Sequence, residues 1–136
     1  MGIRLKAIDE KELVPFVPQF GGEAEKKAGN PDYAALTFHL RRMTEREAEA
    51  YREVTVTEAG QVEINQEDCA RIVFAHAAQI ENLSLVGSDG KRIEVDNGER
   101  LRTHRDQLPA TTKHLFAEVA LHLINMSGIS EEEEKN

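Results

Sequence analysis

Three side chains with metal-binding chemistry, His114, Glu118 and His122, recur at four-residue intervals near the C-terminal end of the chain. Helical ligands at that spacing hold zinc when two of them reach one ion. His114 and His122, however, lie about 12 Å apart along a helix, too far to share an ion easily. No His-Glu-x-x-His pair occurs. The better reading places all three on the solvent side of an amphipathic helix. His76 sits among apolar residues and reads as a satisfied core histidine, while His39 alternates with core residues on a strand and reads as outward-facing. Other catalytic sets are equally thin. Gly21-Gly22 lacks the later Gly and Lys that a phosphate-binding loop needs, and no Ser or Cys sits in a nucleophile elbow. Cys69 is the sole cysteine. It falls within an expected helix, where a small thiol packs as an apolar residue. No metal, cofactor or catalytic residue is assigned, and the expectation is a protein that is not an enzyme.

The elements that would carry these residues follow from periodicity and punctuation. In the last helix Leu115, Val119 and Leu123 recur every four residues beside Phe116, Ala120 and Ile124, which makes a wide apolar stripe. Pro109 suits its first turn and Gly128 its end. Thr44-Glu45-Arg46-Glu47 is a capping box and starts a helix running to about residue 53. Asn65 caps another, with Cys69, Ile72, Val73, His76, Ala77 and Ile80 as its apolar face. Residues 3–7 and 35–43 alternate apolar and polar and read as strands; in the second, Leu36, Phe38 and Leu40 share a face. Pro15 and Pro18 bracket Phe16-Val17, which suits an edge strand or extended segment. Residues 21–32 read as a polar loop, 54–64 as a hairpin with a continued helix as the competitor, and 96–98 as a turn. Residues 83–86 and 92–95 flank Asp89-Gly90, a strong hairpin signal.

At 136 residues with 40% hydrophobic and 31% charged residues, the expectation is one α+β domain over residues 1–130. It should have a small, mostly antiparallel sheet and about three helices. Glu131 to Glu134 place four like charges together, so residues 131–136 read as an acidic disordered tail. The net charge of −8 argues against nucleic-acid binding, since phosphate contacts require concentrated positive charge. No apolar run is long enough to cross a bilayer, and the charged N-terminus does not suit a secretory signal. A cytoplasmic location is expected.

Three blocks carry a family resemblance. Phe16-Val17-Pro18-Gln19-Phe20 is followed by Leu36-Thr37-Phe38-His39-Leu40-Arg41-Arg42-Met43 leading into the capping box. Ile80-Glu81-Asn82-Leu83 then precedes the Asp89-Gly90 turn, and the last helix runs into Ser127-Gly128-Ile129-Ser130 and the glutamates. This order resembles small phage and prophage proteins of the tail-assembly-chaperone type. The resemblance implies a non-enzymatic protein of the host cytoplasm that binds tape-measure or tail-tube protein during tail building. It brings no catalytic residues, and an oligomer is compatible with it. Phe16, Val17 and Phe20 are the candidate partner-binding residues, because large apolar side chains on an extended edge offer a contact surface. Two other functions remain open: a small metal-dependent enzyme using His104, His114 or His122, and an acidic regulator that binds a DNA-binding protein.

Overall fold

The computed structural model describes residues 2–3, 12–52 and 65–126 of the chain. Within them, five α-helices and two antiparallel sheets make an α+β domain. Strand β1 (Leu13–Phe16) pairs with β2 (Thr37–Arg41), which pairs with β3 (Ala77–Glu81), in the order β1-β2-β3. The strand carrying Pro15 therefore lies at an edge, where a residue without an N–H is tolerated. Phe38 and Leu40 turn inward and are fully buried, while Thr37, His39 and Arg41 turn to the other face. The second sheet is the hairpin β4 (Ser84–Val86) and β5 (Arg92–Glu94), closed through Asp89-Gly90, with Gly90 at φ 79°.

The capping signals are realised at atomic detail. Thr44 Oγ1 accepts from the Glu47 N–H at 3.2 Å and the Glu47 carboxylate accepts from the Thr44 N–H at 3.1 Å, opening α2 (Glu45–Arg52). Asn65 Oδ1 accepts from the Glu67 N–H at the start of α3 (Gln66–His76). The Glu47 carboxyl is held below the usual carboxylate range, first by its hydrogen bond with the Thr44 backbone.

Three expectations are corrected. The stretch read as a polar loop contains a 3-10 turn (Phe20–Gly22) and helix α1 (Glu23–Gly29). Gly21 and Gly22 take φ of 68° and 73°, conformations that side chains disfavour, and so permit the sharp entry. No residue of α1 is buried, which is why no apolar period announced it. Acids in its first turn and lysines in its last complement the helix dipole instead. The helix from Asn65 stops at His76, and Ala77 and Ile80 belong to β3. Both are buried, as expected of an apolar face. Their three-residue spacing mimics a helix because the β2–β3 register shifts between His39 and Leu40, and a bulge breaks simple alternation. Residues 96–98 are not only a turn. Asn97 Oδ1 accepts from the Arg100 N–H and caps α4 (Gly98–Thr103), which brings the helix number to five rather than three. The expected strand over residues 3–7, apart from Ile3, which is in no regular element, and the hairpin or helix over 54–64 and the acidic tail fall outside the described residues.

The final helix, α5 (Thr112–Met126), packs beside α3, with Phe74 and Phe116 edge-to-face at 5.5 Å. Leu115, Phe116, Val119, Ala120, Leu123 and Ile124 are all buried, as their period requires. They join Phe38, Leu40, Ile72, Val73 and Leu101 in one core.

Candidate functional site

The hairpin β4–β5 cannot bury its apolar face alone, since two strands give too little surface. The Val95 N–H donates to Leu83 O at 3.0 Å and extends the hairpin ladder by one step, and the Ile80 N–H donates to Asp96 O at 2.7 Å, which ties the returning arm to β3. Asn82, at φ 63°, makes the bend between β3 and β4, and its side-chain amide donates to Ala35 O. Helix α4 then crosses to bring Leu101 beneath the hairpin. Its start is wedged against the end of α3, where a Cβ on Gly98 would stand 2.5 Å from Phe74 O. A 3-10 turn (Arg105–Gln107) leads through Leu108 and Pro109 into α5.

These elements enclose an open groove of about 400 Å³. Leu83, Leu85 and Val86 form the hairpin wall, Leu108, Pro109 and Thr111 the opposite wall, and Val95, Leu101 and Leu115 the floor. Phe20 also lines it. Most of these side chains are apolar, and Val86 is 64% exposed at the rim. Polar contact at the edge comes from Ser84, whose hydroxyl accepts from Arg92 Nε at 3.0 Å. A groove of this size and lining can take up apolar side chains from a peptide or a small apolar molecule.

The three sequence-expected partner residues are only partly displayed. Phe16, Val17 and Phe20 are all half-buried. Phe16 stacks on His122 with ring centroids 4.1 Å apart and planes 15° apart. Phe20 packs against the core while lining the groove. Backbone N–H groups of Gln19 and Phe20 donate to the Glu118 carboxylate at 2.6 and 3.0 Å. Two residues read as solvent-facing, Glu118 and His122, are thus the clasp that fixes residues 16–20 on α5. The four-residue spacing that first suggested a metal pair places them one helical turn apart, both toward β1 and the turn that follows it. Among the described residues no group of three or more His, Cys, Asp or Glu is arranged to hold a metal ion. His114 is exposed and His104 half-buried at the end of α4. Cys69 is buried, and burial first, then Asp68, pushes its thiol pKa up. His76 is buried, with Nδ1 2.9 Å from Arg41 O and Nε2 3.5 Å from the Glu47 carboxylate. His39 lies on the outer face of the sheet, as expected, and is half-buried there, 3.4 Å from Glu81.

The clasp has a pH signature. Burial lowers the His122 pKa below its ordinary 6.5, against a smaller opposing pull from Glu118. Between the folded and unfolded values the unfolded chain binds the extra proton, so stability is full above pH 6.5 and falls as the pH drops through the folded pKa. Urea midpoints at pH 7.5 and 5.5 should therefore fall further for the native protein than for His122→Gln. Equal falls would show that His122 is not held as described.

Sequence periodicity did not single out the groove. The sequence reads residues 83–86 as one strand of a hairpin, but does not say what that strand faces. That depends on α4, whose signal is a single Asn cap before Gly98. Among the described residues no helix is long and apolar enough to cross a membrane. Compared with known proteins, the chain matches no family model, and no curated protein or solved structure gives a significant match.

Proposed function

We propose that this chain is a non-enzymatic protein-binding component of phage or prophage tail assembly, working in the host cytoplasm. Its groove would take an apolar stretch of the tape-measure or tail-tube protein. The observation that carries the binding role is the open apolar groove between the hairpin and the start of α5, with Val86 exposed at its rim. An exposed apolar surface beside a preformed concavity is the arrangement protein recognition uses. The three sequence blocks supply the partner class. Of the expected contact residues, Phe20 is the one that lines the groove, and the proposal puts the contact there rather than at Phe16.

Co-expression of the full chain with the tape-measure and tail-tube proteins encoded beside it tests this reading. Val86→Asp should abolish co-purification while leaving the melting temperature nearly unchanged, because surface substitutions cost about 0.5 kcal/mol or less. Retention of the partner by that variant would contradict the proposal. So would a chromosomal setting without tail genes.

A further inference from the structure

Asn97 is the one asparagine of the chain that glycine follows; Asn30, Asn65, Asn82 and Asn125 precede Pro31, Gln66, Leu83 and Met126. The difference is chemical. A backbone nitrogen can attack the side-chain amide carbon of the asparagine before it and close a five-membered ring. Glycine, with no Cβ, hinders that approach least, and proline has no N–H to lose. Asn97-Gly98 is therefore the step at which this chain can modify itself without an enzyme.

The fold holds the reacting atoms apart. Ring closure needs rotation about the Cα–C bond of Asn97 until the Gly98 nitrogen eclipses Cβ, and the extended ψ of 170° is well short of that. Both sides of the bond are fixed. Upstream, Asp96 O accepts from the Ile80 N–H and the Val95 N–H donates to Leu83 O. Downstream, Gly98 is wedged against the Val73 and Phe74 carbonyl oxygens, and Leu101 is buried in the core. The reacting side chain is itself engaged, with Asn97 Oδ1 accepting from the Arg100 N–H at 2.8 Å. Rotation at Asn97 must wait until α4 lifts from α3.

We propose that Asn97-Gly98 is a self-modification site, kept silent by the docking of α4 on α3, whose reaction prevents α4 from docking again. Water acting as base takes the Gly98 amide proton, the nitrogen bonds to Asn97 Cγ, and the side-chain nitrogen leaves as ammonia. A second water then opens the ring at either carbonyl carbon. Opening at Cγ leaves an ordinary aspartyl link, whose carboxylate can still cap α4. Opening at the main-chain carbon routes the backbone through Cβ and lengthens it by one atom. That atom enters directly before Gly98, where even a Cβ would stand 2.5 Å from Phe74 O. The inference does not depend on what the groove binds.

The test incubates the full chain in native buffer and in concentrated urea at the same pH. Peptide mapping follows the conversion of amide to acid and the isoaspartyl link at position 97. The mass gain separates this site from Asp89-Gly90, which closes the same ring by losing water. Conversion should be at least about tenfold slower in the folded protein, since exposing Leu101 alone makes the lifted state about that much rarer. Leu101→Ala, which weakens docking and leaves Asn97-Gly98 intact, should raise the native-buffer rate and leave the urea rate unchanged. The Asn97→Asp variant should melt close to the native protein, while isoaspartyl protein purified from an aged sample should melt lower. Equal rates in native buffer and urea for the native sequence overturn the inference. So does an absence of conversion in urea, or isoaspartyl protein that melts with the Asn97→Asp variant.

Discussion

Gly98→Ala should destabilise the protein by about 3 kcal/mol or more, an effect out of proportion to one added methyl group. A Cβ at this position would stand 2.5 Å from Phe74 O, 2.8 Å from Val73 O and 3.0 Å from Phe74 C. All three are backbone atoms at the end of α3, so no side chain can swing aside. Inserting a methylene into a packed site costs about 1–3 kcal/mol, occasionally more, and a rigid neighbour puts this case at the upper end. Relief requires α4 to move away from α3. That movement would carry Leu101 out of the groove floor, so the variant should also lose partner binding in whatever fraction remains folded. Urea unfolding of the purified variant measures the first effect. A loss below about 0.5 kcal/mol, the usual scale of a surface change, would mean that α4 does not approach α3 this closely.

Leu123→Ala should cost about 2–5 kcal/mol, the range for removing a large buried aliphatic side chain. Leu123 has no exposed surface. It lies on the α5 stripe that joins the core, and alanine keeps the helix propensity, so the loss reports packing alone. Leu121, two residues earlier, is 44% exposed and serves as the internal control. Its alanine variant should change stability by about 0.5 kcal/mol or less. Similar losses for both would contradict the assigned helix face, and a rotation of α5 would then also unmake the Glu118 and His122 clasp.

What could be read from the sequence was local. The capping box at Thr44, the Asn65 cap, the Asp89-Gly90 hairpin and the four-residue apolar period of α5 each rest on neighbours a few positions away, and each forms as read. The errors share a cause. Helix α1 buries nothing and therefore has no apolar stripe to detect. The boundary at Ala77 is set by pairing of β3 with β2, across nearly forty residues of sequence, and a bulge there disguises strand spacing as helix spacing. Helix α4 exists because Gly98 permits a close approach to α3, which a reading along the chain cannot see. Glu118 and His122 looked like solvent-facing residues because their partners, residues 16–20, lie about a hundred positions away. The groove depends on all of these long-range placements, so its residues could be named individually as apolar but not assembled into a site.

The central claim is that binding occurs in the groove between the hairpin and the start of α5. Amide chemical-shift mapping of the full-length protein on addition of the purified tail protein with which it is co-expressed tests it most directly. Shifts should concentrate at Leu83 to Val86, Leu101 and Leu108 to Leu115, with Phe20 included and the outer sheet face at Thr37, His39 and Arg41 unmoved. Shifts centred on β1 and the outer sheet face, with the groove residues silent, would contradict the account.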